Sequence, residues 1–202
     1  MKSKKEVQHV YLVGAKSLGA YGGYETFVYK LTEYHQNKEN IKYHVACKAN
    51  GDGCMDENKF EGVTKINNHE FEFHNAHCFK IDVPQIGSAQ AIYYDVAALK
   101  ACCEHIRKNQ IPHPIVYIMA CRIGPFASHF YKEIHKLGGT VYLNPDGECE
   151  IIRGCHNRDK GTAENERLRN PKFIFSYPKN ERLIFLNGRN AVQKEISTMR
   201  VG

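Results

Sequence analysis

The chain has 202 residues, 42% of them hydrophobic and 25% charged. That length holds one large domain and falls short of two full Rossmann-type domains, and the balance excludes wholesale disorder. The formal charge of +6 is uneven: residues 148–202 hold 11 of the 28 Lys and Arg but 7 of the 22 Asp and Glu, so four of the six excess charges fall there. Such a bias suits either an anionic partner or a weakly basic, poorly folded tail, and the tail is the expectation.

Strand and helix patterns alternate through residue 147. Residues 9–14 are a short β-branched and aromatic run that ends in a glycine-rich stretch, a strand feeding a loop. Apolar residues at 24, 27, 28, 31 and 34 then form the stripe of an amphipathic helix. Residues 41–47 read as the next strand, and the polar stretch 48–70 as a loop or lid. Alternation over 71–81, broken at His74-Asn75, predicts a hairpin or two short strands.

After Pro84 and Gly87, Ser88 is the expected N-cap of a long helix. Its predicted buried stripe is Ile92, Val96, Leu99, Cys103 and Ile106, with Tyr93 beside it and Cys102 on the flank. Residues 115–120 are the most apolar strand. Gly124-Pro125 opens a further helix, lined by Phe126, Phe130, Ile134 and Leu137 and closed by Gly138-Gly139. A last strand, 140–143, runs into Asn144-Pro145-Asp146-Gly147. Strands joined by helices of this length imply crossovers, hence an α/β fold with a parallel sheet and helices on both faces. From Glu148 the texture changes to charged residues and Asn, with apolar islands at 172–177 and 182–186 that could pair as a hairpin.

No apolar run approaches the length needed to cross a bilayer, and residues 10–13 are too short for a signal-peptide core, so a cytoplasmic location is expected. The eight cysteines are then reduced thiols, mostly buried as small hydrophobes, not a disulfide framework.

In an open parallel sheet ligands sit beyond the carboxyl ends of the strands, which singles out loops 14–23, 48–60, 121–125 and 144–147. The first, rich in glycine, suits either a backbone approach to a phosphate at a helix N-terminus or a turn needed only for packing. It matches neither Gly-x-Gly-x-x-Gly nor a P-loop, and Cys47-Lys48 stands where a dinucleotide site wants an acidic residue. An NAD-dependent enzyme is therefore disfavoured. Glu25 caps free amides or touches a ligand, the capping role fitting the pattern better. Arg122, just past the most apolar strand, suits an anion contact as well as solvent. Turn chemistry explains Asp146 as readily as catalysis does. Cys149, Cys155 and His156 fit no standard zinc spacing and lack a fourth ligand. The eleven histidines are scattered without a hydrolase triad, and the signatures of nucleic-acid binding are missing.

Five blocks carry a resemblance. Residues 19–28 (GAYGGYETFV), 43–47 (YHVAC), 86–95 (IGSAQAIYYD), 120–126 (ACRIGPF) and 144–147 (NPDG) occur in order, and the similarity runs through residues 8–147. The chain resembles the bacterial rhamnosyltransferase-type glycosyltransferases, GT-B enzymes of family 4 with a DUF1972-like N-terminal domain, among them the β-1,4-rhamnosyltransferases of streptococcal capsule synthesis. The resemblance implies a Rossmann-like acceptor-side domain over residues 1–147. It implies hexosyl transfer, with dTDP-rhamnose as donor and a lipid-linked saccharide at the inner membrane face as acceptor. Gly22, Gly23 and Glu25 would face the donor diphosphate or acceptor, Arg122 and Asp146 would be catalytic, and neither metal nor cofactor would be needed. The family continues from Asn-Pro-Asp-Gly into His-Glu-Trp, whereas Glu148-Cys149-Glu150 follows here. The remaining 55 residues are too few for a second domain of about 150 residues. The expectation is an out-of-frame or decayed end over 148–202, and an isolated chain that is weakly active or inactive. The alternative is a non-catalytic module that docks on another polysaccharide-assembly protein.

Overall fold

A computed structural model of the chain describes residues 7–19, 22–120, 123 and 126–144, together with the main chain of Ile184–Phe185. Its elements are β1 (Gln8–Val13), α1 (Gly23–Tyr34), β2 (Ile41–Lys48), β3 (Thr64–Lys65), β4 (Glu70–Phe73), β5 (Ala76–Ile81), α2 (Gln90–Asn109), β6 (Ile115–Ile118), α3 (Ala127–Lys136), β7 (Thr140–Leu143) and β8 (Ile184–Phe185). They form one sheet in the order β3-β4-β5-β2-β1-β6-β7-β8. From β5 to β8 every neighbouring pair is parallel, and β3 and β4 add an antiparallel edge. This is the expected α/β, Rossmann-like architecture.

Strand alternation divides the core between the two faces. Tyr11, Val13, Ala46, Val116, Ile118 and Val141 pack under α2 and α3, against Leu99, Cys102, Ile106, Phe130 and Ile134. Leu12, Val45, Cys47, Cys78 and Phe71 point to the other face, where Val28 of α1 and Met55 of the loop after β2 cover them. Both faces are therefore dry, which is why β1 and β2 read as apolar runs more than as alternating strands. The β4–β5 hairpin turns at His74-Asn75, with His74 in the left-handed region at φ 52°. The Asn75 amide locks that turn by donating to the Lys38 and Ile41 carbonyls at 3.0 and 2.6 Å.

Four local expectations need correction. Ser88 is not an N-cap: the chain enters α2 through a 3₁₀ turn over Gly87–Ala89, and Ala89 flanks the helix with helical backbone and no side-chain cap. A capping side chain needs extended backbone at that position, and the tight turn removes it. Ile92 and Tyr93 are about half exposed, while Tyr94 is buried, because the face of α2 turned to the sheet there is the one that carries Tyr94 to the Ala15 and Ala46 carbonyls. Cys102 is fully buried beside Cys103, since α2 lies on the sheet and packs beside α3, burying a wider arc than one stripe. Phe126, predicted to line α3, is 49% exposed. Of the apolar islands in the last quarter, the main chain of 184–185 pairs parallel to β7, and 172–177 lies outside the described residues, as does the rest of 148–202.

Candidate functional site

β1 sits at the point where the sheet reverses its winding: the chain leaves it through α1 to β2 on one side, and β6 flanks it on the other. The loops leaving the carboxyl ends of β1 and β6 therefore diverge and open a crevice, the place where α/β sheets bind ligands. Its floor is tight. The Met119 N–H donates to the Val13 carbonyl at 2.8 Å, and a β-carbon on Gly14 (φ 112°) would lie 2.6 Å from the Ala120 nitrogen.

The loop after β1 is held from three sides. Glu25, the acidic residue in the first turn of α1, does not cap its own helix; its Oε1 accepts the backbone N–H of Lys16 at 2.8 Å. The Lys16 carbonyl accepts the Lys48 N–H at 2.7 Å, joining the loop to the end of β2. The hydroxyl of buried Tyr94, from α2, lies 2.5 Å from the Ala15 carbonyl oxygen and 2.9 Å from that of Ala46, sharing one proton between them. Burial pushes the Tyr94 phenol well above its ordinary pKa, so it stays a donor. Ser17 is buried and its hydroxyl has no hydrogen-bond partner among the described residues.

Two lysines, Lys16 of this loop and Lys48 at the end of β2, converge on Asp52. Lys48 is buried, and its ammonium donates to the Asp52 carbonyl at 2.9 Å; Lys16 reaches the Asp52 carboxylate at 3.3 Å. The second of these is solvent-exposed and contributes little to stability. Lys48 holds the position where a dinucleotide fold carries an acidic residue, which gives this edge positive character.

The predicted residues Gly22, Gly23 and Glu25 come together at the start of α1. The two glycines differ in kind. A β-carbon on Gly22 would sit 2.1 Å from Glu25 Oε2, so Gly22 makes room for the carboxylate that holds Lys16. A β-carbon on Gly23 would meet nothing within 4 Å, so its smallness leaves open space beside the first amides of α1. Arg122 and Asp146 lie outside the described residues. Asn144 donates its N–H to the Ile118 carbonyl at 2.9 Å, which sets the start of the 144–147 segment beside the end of β6.

A second group of side chains, unforeseen from the sequence, gathers toward the amino ends of the strands. Register places Tyr11 opposite His44 and His44 opposite His77, all under α2, and His105 of α2 closes over them. His9, two residues before Tyr11, shares the same face and meets His44 through Nδ1 and Nε2 at 2.9 Å. Burial, helped by the neighbouring histidines, pushes His44 down to about 2 and His105 to about 4, and burial with the Lys42 charge lowers His77 and His9. These imidazoles are neutral at physiological pH. The signal was histidines at matching parity on three strands, visible only once the register is known.

The fold defines an α/β protein with a switch point between β1 and β6. The DUF1972 family, described as a domain of unknown function, matches residues 7–159, and the chain belongs to it. That match continues past Gly147, where the motif resemblance ends. No curated protein matches the chain. Among solved structures the chain is similar to α,α-trehalose 6-phosphate synthase from Burkholderia multivorans, with 9% identity and a TM-score of 0.41, over 73% of this chain and 35% of that one. No helix among the described residues is long and apolar enough to cross a membrane.

Proposed function

We propose that this chain is the acceptor-side part of a glycosyltransferase of cell-surface polysaccharide assembly. In this reading rhamnose passes from dTDP-rhamnose to a lipid-linked saccharide at the inner membrane face, with the domain boundary near residue 147. The observation that carries the reading is the open space at Gly23 beside the first amides of α1, at the carboxyl edge of β1. The block 19–28, which carries part of the glycosyltransferase resemblance, includes that point. The N-terminus of a helix, with its amides and dipole, favours a diphosphate. Arg122, next in the chain after β6, would stabilise charge on the leaving diphosphate by the logic of an oxyanion site, and Asp146 would accept the proton of the acceptor hydroxyl.

The test is a calorimetric titration of dTDP-rhamnose into the whole chain and into Gly23→Leu. A β-carbon at position 23 meets nothing within 4 Å, so the leucine is expected to keep the fold while it blocks diphosphate approach, with circular dichroism as the check. Saturable binding that weakens at least tenfold in Gly23→Leu supports the reading. Absence of binding, or binding unchanged by the leucine, overturns it.

A second reading has its own observation. Ile92 and Tyr93, adjacent in the first turn of α2, and Ile86 just before it are 44–46% exposed, and Phe126 at the start of α3 is 49% exposed. Exposed apolar side chains gathered in one patch mark a surface for another protein or domain. If the chain is a docking module, sedimentation with its partner will register a complex that Ile92→Glu and Phe126→Glu abolish, with no nucleotide-sugar binding.

A further inference from the structure

We infer that His44, His77 and His105 form a binding site for a divalent transition-metal ion of the zinc type, separate from the carboxyl-edge crevice and independent of any glycosyl transfer there. One ligand atom from each of the three lies within 4.8 Å of the others. Tetrahedral zinc with nitrogens at about 2.0–2.1 Å needs them roughly 3.4 Å apart, a closure reached by side-chain rotation. His105, on a helix and only half buried, is the side chain free to make it.

Each imidazole is arranged as a metal ligand is. His44 engages His9 through Nε2 and leaves Nδ1 buried without a partner. His77 also leaves Nδ1 buried without a partner, while its Nε2 faces the Glu70 carboxylate at 3.9 Å. His105 bonds the Tyr11 hydroxyl through Nδ1 at 2.8 Å, which leaves Nε2 for a ligand. In metal sites the second ring nitrogen is typically held by an outer partner that fixes the tautomer, and His9, Glu70 and Tyr11 stand in those places. A buried imidazole nitrogen left unpaired is costly, and the two in this cluster are a demand that one ion would meet. The donor set is all nitrogen and neutral, the chemistry of Zn²⁺, Cu²⁺ and Ni²⁺ more than of Mg²⁺ or Ca²⁺. Glu70 and Glu72, on β4 beside the cluster, offset the added charge, and Lys42 is already paired with Glu72 at 3.0 Å.

The experiment titrates cobalt(II), as a spectroscopic stand-in for zinc, into the metal-stripped, reduced whole chain. The expected result is one ion per chain with the d–d absorption of a nitrogen-rich site and no thiolate charge-transfer band. Affinity should fall at least tenfold in both His77→Gln and His105→Gln. His105→Cys, at a half-exposed helix position that keeps the fold, should bind and add the thiolate band. Far-UV circular dichroism establishes that each variant is folded. No cobalt spectrum in the wild type, a thiolate band already present there, or binding unchanged by His105→Gln and unaltered by His105→Cys would each overturn the assignment.

Discussion

Gly14 and Ala120 approach so closely that a β-carbon on residue 14 would stand 2.6 Å from the Ala120 nitrogen. The contact fixes the separation of β1 and β6 at their carboxyl ends, and with it the floor of the crevice. Gly14 also holds φ 112°, where only glycine is unstrained. Gly14→Ala is therefore expected to lower stability by about 2–4 kcal/mol through strain and a main-chain clash. Urea unfolding measures it, and an unchanged midpoint would show that the two strand ends are not locked together.

Glu25 and Gly22 form a unit whose product is the position of Lys16. Removing the carboxylate with Glu25→Ala should cost about 1.5–3 kcal/mol, the range for a hydrogen bond to a charged group. Glu25→Gln, which keeps an acceptor oxygen, should lose less than half of that. Gly22→Ala displaces the same carboxylate, so the double variant Gly22→Ala/Glu25→Ala should lose less than the two single losses together. Full additivity in denaturant melts would refute the coupling.

The histidine cluster sets a pH dependence. His44 is held neutral in the folded chain, its pKa far below the ordinary 6.5 of an imidazole, by burial and by the facing His105, His9, His77 and Lys42. A depressed folded pKa means the unfolded chain binds more protons below pH 6.5, so stability is intact above that value and falls as the pH drops. Each histidine kept neutral contributes a slope of about 1.4 kcal/mol per pH unit in that window. Between pH 6.5 and 4.5, before most carboxylates titrate, the wild type should lose stability with a slope that His44→Gln reduces by one proton. Equal slopes in wild type and variant would mean that His44 is not kept neutral by the fold.

Much of the fold was legible because its signals are local. The run at the start of β1, the stripe of α1, the break at His74-Asn75 and the glycine closing α3 each depend on residues within a few positions. Glycine at 138, with φ 79°, ends α3 where the pattern placed it. What escaped the sequence depends on packing at a distance. Ser88 looked like a cap because nothing local reveals the 3₁₀ turn that follows Ile86. Cys102 looked like a flank because the burial of α2 is set jointly by the sheet and α3. The glycine loop and Glu25 were found from their place after a strand, but Glu25 serves Lys16 across nine residues, not its own helix. Tyr94 joined the site only through the α2 crossover, and the contact of Lys48 with Lys16 only through register. The histidines met for the same reason: parity on a strand is readable, and register is not.

The central claim, that the carboxyl-edge crevice receives a nucleotide-sugar diphosphate, is tested most directly by amide hydrogen exchange of the whole chain with and without saturating dTDP-rhamnose. The account predicts slowed exchange confined to peptides spanning residues 14–26 and 119–126, with dTDP alone giving the same pattern and Gly23→Leu abolishing it. Exchange unchanged in those peptides, or protection appearing only elsewhere on the chain, would contradict it.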